Sequence, residues 1–409
     1  VSATPPRSLW AGRALALLGI ILVAATLRTA VAGLSPIVSQ ISTDIPLTPT
    51  AIGVLGMLPP VCFAVFGIFT PVYTRRLGLE NVLMLALTLM LIGHLTRGLA
   101  GSLTILLVGS VVTFAGLGVG NVLLPPLVKK YFPDRIGLVT SLYVTTLSLS
   151  TLFPPLIAVP VADAAGWRVS LGLWLLPVAV ALVPWVTMFV RHRVQVTPGS
   201  TVDEAQPALV GRIWRSSIAW ALAVVFAVSS LNAYSMFAWL PQLLIDTAGV
   251  TPAQAGTLLS VYAAMGIPCA LLIPWLTARM KNVGVLVYLG VAVFLVGDLG
   301  LLLAPATLTW LWVIMAGLGP LLFPLVLVLI NLRSRTHAGS VALSGFVQSV
   351  GYTLGALGPL AVALLHEITG GWTAPLIFLL CTALAVTVAG TIIARPQLLE
   401  DELERHPDR

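Results

Sequence analysis

The chain has 409 residues and a formal net charge of +7, yet only 9% are Asp, Glu, Lys or Arg, against 58% hydrophobic residues. A soluble domain carries about 25% charged residues, and a water-soluble fold has too little interior to hide so much apolar surface. An ordinary soluble enzyme, a disordered chain and a nucleic-acid-binding domain are therefore excluded.

A helix that crosses a bilayer needs about 20 mostly apolar residues. In chain order such runs cover 14–42, 50–74, 81–98, 104–128, 136–162 and 168–190, then 213–243, 252–278, 283–304, 308–332, 339–365 and 372–394. The first run is too long for a secretory signal, and Arg28 sits in its middle. The segment 191–212, with Pro198, Gly199, Asp203, Glu204 and Pro207, is the only long polar stretch inside the chain. It divides a first bundle, 1–190, from a second, 213–394, and a charged tail, 395–409, is expected to be mobile. The expectation is an all-α membrane protein of twelve transmembrane helices in two six-helix bundles. Many prolines, including those at 59, 60, 125, 126, 154 and 155, are expected to bend the spans.

Lys and Arg mark cytoplasmic loops. With both termini in the cytoplasm, 18 of the 21 basic residues fall on that side. Arg97 and Arg168 fall outside, and Arg28 falls within the membrane. The reverse orientation would leave those 18 outside.

The two halves echo each other. Gly53 and Gly256, Pro71 and Pro274, Thr74 and Thr277, and Arg76 and Arg279 are each 203 residues apart. Gly116-Leu-Gly118 has a counterpart in Gly317-Leu-Gly319, and Gly166-Trp167 in Gly371-Trp372. Six plus six spans with a cytoplasmic linker resembles the plan of the major facilitator superfamily. That resemblance implies two pseudo-symmetric bundles that rock about a solute site between them. The basic motif that the superfamily carries after the second span is degenerate here: Thr70 to Gly78 has no Asp before Arg75 and Arg76.

Arg28 is the sharpest chemical signal. At about 1.5 Å per residue it lies more than about 20 Å from either end of its span, too deep to reach water easily. A central arginine costs about 2.5–3.5 kcal/mol on insertion scales. One reading is a guanidinium that faces an aqueous cavity and binds an anion or a polar planar solute. The other is an arginine tied to helix carbonyls or to a neighbouring amide. No acid falls at mid-depth near it, since Asp298 is assigned to the outer end of a peripheral span, and the histidines lie near ends or in loops. The solute itself would then supply the compensating charge. Asn121, Tyr143, Asn232, Tyr234, Trp239, Tyr262, Gln348 and Tyr352 are candidates to complete the site. Ser344, Gln348 and Tyr352 share one helix face, as do Asn232, Ser235 and Trp239. Each polar group has an alternative as glue between helices, and Tyr234 and Trp239 another as interface anchors.

The remaining motifs read as packing. Gly116, Gly118 and Gly120 do not form a dinucleotide loop, but small residues let helices approach closely. Cys62, Cys269 and Cys381 have neither zinc nor disulfide spacing, so neither metal nor cofactor is expected. An intramembrane enzyme would need a nucleophile, metal set or acid–base pair at depth, and none is visible.

Longer strings carry a narrower resemblance. Leu27-Arg28, the stretch from Gly120-Asn121 through Pro125 and Lys129-Lys130 to Arg135, Thr140 to Tyr143, Trp239-Leu240-Pro241, and Leu343-Ser344-Gly345 through Gln348 to Tyr352 are similar to the cyanate transporter family, which includes 2-nitroimidazole transport. The resemblance implies a monomeric transporter of the bacterial inner membrane with no nucleic-acid partner. It would move a small anion or a small polar planar solute by alternating access, with Arg28 matching the family's span-one arginine. The alternative is an exporter of drug-like compounds through an aromatic cavity.

Overall fold

The computed structural model describes residues 13–191, 213–280 and 282–405. It is all-helical, with twelve segments long and apolar enough to cross a membrane. They are Ala14–Ser42, Pro49–Gly67, Leu79–Gly98, Leu103–Tyr131, Leu138–Ala165 and Trp167–Val190, followed by Ser217–Ala248, Pro252–Thr277, Gly284–Leu303, Thr309–Leu332, Ala342–Thr369 and Thr373–Ile393. We call them spans 1 to 12. Apart from Arg191, the expected linker lies outside the described residues. An even number of spans puts both chain ends at one face of the bundle, the terminal face. The loops after odd-numbered spans form the far face.

The likeness of the two halves extends to their helix caps. Thr48 and Thr251 start spans 2 and 8 as N-caps, accepting from Ala51 N at 3.2 Å and Gln254 N at 3.3 Å. A cap of this kind supplies an acceptor for an amide that has no partner inside the helix. The Gly-Trp pairs act alike too. Trp167 Nε1 donates to Asp44 at 3.0 Å, and Trp372 Nε1 donates to Asp246 at 3.0 Å. Each bond ties the sixth span of a half to the end of its first. The glycines of span 4 face three neighbours in turn. A Cβ on Gly116 would lie 2.5 Å from Ala86 O in span 3, one on Gly118 3.0 Å from Cys62 O in span 2, and one on Gly120 2.7 Å from Leu27 in span 1. In span 10 it is Gly319 that packs on span 9, through Phe294, and Gly317 that packs on span 8. The two glycines of the pair thus meet the neighbouring spans in opposite order in the two halves.

Three apolar cores hold the bundle. Ile20, Leu83, Leu117 and Val178 belong to one built on the first half, at the terminal face. Leu222, Val287, Leu325 and Val386 belong to a second, built on the second half at the same face. The third lies at the far face and draws on both halves, with Ile37, Ile52 and Leu55 beside Leu240, Leu258 and Val362. The seam between halves is tightest there. A Cβ on Gly53 would lie 2.6 Å from that of Ala363, and one on Gly256 2.5 Å from Pro155 O. Ser35 Oγ donates to Phe237 O at 2.6 Å, and Thr50 Oγ1 to Glu367 at 2.5 Å.

The prolines at 125, 126, 154 and 155 lie within continuous helices, Leu103–Tyr131 and Ile136–Ala165. Span 1 breaks at Leu27 and Arg28, between Ala14–Thr26 and Thr29–Ala32. One expectation is corrected: up to Arg405 the tail is seated rather than mobile. Leu399–Arg405 is helical, and Glu400 accepts from the amides of Arg335 and Thr336 at 2.8 and 3.0 Å. Glu402 accepts from Ser216 Oγ at 2.7 Å and from the Ser217 amide at 2.7 Å. The acidic tail therefore caps the starts of spans 7 and 11, where partly positive helix ends favour carboxylates.

Candidate functional site

The break in span 1 is cushioned by its own threonines. Thr26 Oγ1 donates to Val23 O at 2.7 Å, and Thr29 Oγ1 to Thr26 O at 2.9 Å. Backbone groups released in a membrane helix need such local partners. Arg28 leaves the helix at this point, half-buried, with its guanidinium over the ring of Phe63 from span 2, 5.6 Å from the centroid. Phe63 stands edge-on to Tyr352 of span 11 at 6.3 Å, and Tyr352 edge-on to Phe226 of span 7 at 5.0 Å. The charge of Arg28 also acts on Tyr234 and Tyr352, both from the second half. Arg28 has neither a hydrogen bond nor a carboxylate partner among the described residues. A cation held against an aromatic face keeps part of its stabilisation without losing its donors.

Of the sequence candidates, Arg28, Tyr234 and Tyr352 come together. The others do not join them directly. Asn121 Nδ2 donates within its own helix to Leu117 O at 3.0 Å. Asn232, fully buried, donates to Val228 O at 3.0 Å and to Thr382 at 3.2 Å, linking spans 7 and 12. Trp239 Nε1 donates to Pro359 O of span 11 at 3.0 Å and stands edge-on to Trp372 at 5.7 Å, within the second half. Gln348 Nε2 donates to Ser344 Oγ at 2.7 Å. Tyr143 packs against the core of the first half. Tyr262 stands one ring back, edge-on to Phe237 at 5.5 Å.

A cavity of about 30 Å³ lies on the far-face side of Arg28, walled by Leu34, Leu55, Tyr234 and Phe237 and reaching Arg97 and Ser110. That is room for about two waters. Arg97 is no outer-loop residue: it is 1% exposed, packed under Phe114 of span 4. His94 is likewise fully buried, its ring beside the Leu171 backbone without a well-formed hydrogen bond. Asp298 is not peripheral either. It is fully buried near Tyr262, and neither carboxylate oxygen has a hydrogen-bond partner. Sequence reasoning missed Phe63, because an aromatic within an apolar run carries no mark of which way it faces.

Outside the membrane, charges tie parts of one half together. Arg13 pairs with Asp134 at 2.6 Å, and Arg168 with Asp44 at 2.5 Å. The hydrogen bond from Arg13 holds the Asp134 carboxyl down at about 2. Asp44 is likewise held below the ordinary carboxylate range, by the Trp167 indole and then by Arg168. Among the described residues no group of three or more His, Cys, Asp or Glu is arranged to hold a metal.

The sequence profile of the Major Facilitator Superfamily matches residues 17–356. The chain belongs to that superfamily. It is a membrane transporter of a small-molecule substrate and not an enzyme. Among relatives of this superfamily member, an uncharacterised transporter, YycB, of Bacillus subtilis (strain 168) is 33% identical, over 95% of this chain and 96% of its own length. The 2-nitroimidazole transporter of Escherichia coli (strain K12) is 31% identical, over 92% and 94%. The cyanate transport protein CynX of the same strain is 26% identical, over 87% and 91%. Among solved structures, a bacterial homologue of the human lysosomal transporter Spinster, inward-facing and occupied, superposes with a TM-score of 0.74 at 15% identity, covering 97% of this chain and 99% of that one. This likeness concerns the fold. The relatives make the chain a secondary transporter related to those for cyanate and 2-nitroimidazole.

Proposed function

We propose that this transporter moves a small anion or a small polar planar solute across the bacterial cytoplasmic membrane by alternating access, with Arg28 as its central contact. The observation that carries the reading is an arginine at mid-depth with no carboxylate partner among the described residues, facing aromatic side chains of both halves. A buried cation without an acid is costly. A solute that brings negative charge or acceptor atoms offsets that cost, and a flat one fits between Phe63, Tyr234 and Tyr352. Arg28 and Phe63 belong to the first half and the tyrosines to the second, so a bound solute bridges the halves and favours the state in which they close on it. The relatives' cyanate and 2-nitroimidazole, one a linear anion and the other a flat polar ring, both suit such a site. The distribution of basic residues supports cytoplasmic termini, which makes the terminal face the cytoplasmic one.

The test is ligand-dependent stability of the purified protein in detergent. The panel holds cyanate, nitrate, nitrite, bicarbonate, formate and 2-nitroimidazole, with Arg28→Ala beside the wild type. A ligand that binds only the folded protein raises the unfolding midpoint. The expected result is a rise that disappears in Arg28→Ala, followed by loss of uptake of the same solute in proteoliposomes. A rise that survives the substitution sinks the central role of Arg28 and favours the aromatic exporter.

A further inference from the structure

Arg97 stands near the end of span 3, one span away from Arg28 in the packing and on the far-face side of it. Its stem lies against Gly109, where an added Cβ would meet Arg97 atoms at 3.0 and 3.1 Å. Its guanidinium carbon is 5.8 Å from the centre of the Phe114 ring. The Nε atom is buried without a hydrogen-bond partner, and Arg97 makes no ion pair or hydrogen bond with its side chain among the described residues. Arg97 nevertheless lines the cavity, together with Ser110, whose hydroxyl is also buried and unpartnered. The cavity's other walls are mainly apolar, apart from Tyr234 and Ser35, whose hydroxyl donates to Phe237 O. His94, one turn before Arg97, offers no negative charge.

A cation and a hydroxyl that both face one small cavity, with no acid beside them, form half of an anion site. We propose that this cavity is a second, far-face anion subsite, separate from Arg28. It takes a small monovalent anion of the linear pseudohalide or trigonal oxyanion class, with Arg97 and Ser110 as donors. A volume of about 30 Å³, the room of about two waters, restricts the occupant to the smallest such anions. Arg28 is not among the residues that wall the cavity, whereas Tyr234, a candidate contact of the central site, is. That the occupant is the transported solute rests on the function proposed above; that an anion binds at Arg97 does not.

The full-length protein in detergent is titrated with sodium cyanate, sodium nitrate and sodium chloride, with ionic strength held constant by gluconate. Wild type is compared with Arg97→Gln, Ser110→Ala and Arg28→Gln. Two saturable rises in the unfolding midpoint are expected with cyanate or nitrate. Arg97→Gln weakens one of them at least about tenfold, the scale of a lost charged hydrogen bond. Ser110→Ala weakens the same one about threefold. Arg28→Gln removes only the other. If Arg97→Gln does not fold, Ser110→Ala decides, because it deletes a single oxygen. Affinities unchanged in both variants overturn the subsite, as does an Arg97-dependent rise given by chloride alone. If Arg28→Gln keeps both rises, the central reading fails while the Arg97 subsite stands.

Discussion

The far face and the terminal face of this bundle are held together by different means. At the far face the halves share one core and touch through glycines, with the Ser35 and Thr50 hydrogen bonds added. At the terminal face, among the described residues, each half keeps its own core, and the ion pairs of Arg13 with Asp134, Lys130 with Glu80, and Arg335 with Asp401 each lie within one half. The lesson concerns motion. Charged contacts stiffen each half, while the described part of the seam is mostly apolar, with the Ser35 and Thr50 bonds as its polar links. Parting it exposes little that needs a new partner. Among the described residues, the core that both halves share lies at the far face.

The strongest way to break this contrast is to wedge the seam. Gly53→Val places a branched side chain against Ala363 and Pro359 of the other half. Proteoliposome uptake should fall at least about tenfold, because closing the far face would then cost about 1–3 kcal/mol. The unfolding midpoint of each half should hardly move. Next in size, Gly116→Val makes the same kind of clash inside the first half, against Ala86 and Met90. It should lower thermal stability by about 1–3 kcal/mol whether or not solute is present. An equal effect of both substitutions on stability would erase the distinction between seam and half. Glu402→Gln removes the charge at the start of span 7, and a loss of about 1 kcal/mol in the unfolding free energy is expected, with solute affinity unchanged.

The smallest effect concerns the exposed pair of Arg13 and Asp134. The folded pKa of Asp134, about 2, lies below its unfolded value of 3.8. Its contribution is therefore present above about pH 4 and is lost as pH falls through about 2. The midpoint difference between wild type and Asp134→Asn should shrink over that window. Exposure keeps it small, and an unchanged difference would remove the pair from the account of the first half.

Much of the fold was legible in the sequence, because a bilayer imposes a length and a composition on every span. The number and order of spans, the deep arginine and the paired Gly-Trp positions all follow from residue type and spacing. What was hidden depended on rotation about a helix axis. Arg97 and Asp298 sit near ends of apolar runs, where a charge can reach either water or a neighbouring span. Gly109 and Phe114 settle the first by closing over the side chain. Asn232 and Trp239 share a face with Ser235 as expected, but Thr382 and the Pro359 carbonyl already take their donors. The seating of the tail was equally hidden, since its carboxylates bind amides at the starts of distant helices rather than oppositely charged side chains nearby.

That seating has a consequence for biosynthesis. The Glu402 carboxylate accepts from the Ser217 amide across a sequence separation of 185 residues. Span 7 is made long before the segment that finishes its first turn has left the ribosome. Until translation ends, the second half must wait in the membrane with the amides at the start of span 7 lacking the Glu402 carboxylate. A truncated product that stops before Leu399 would contain every span and still lack the piece that locks this half.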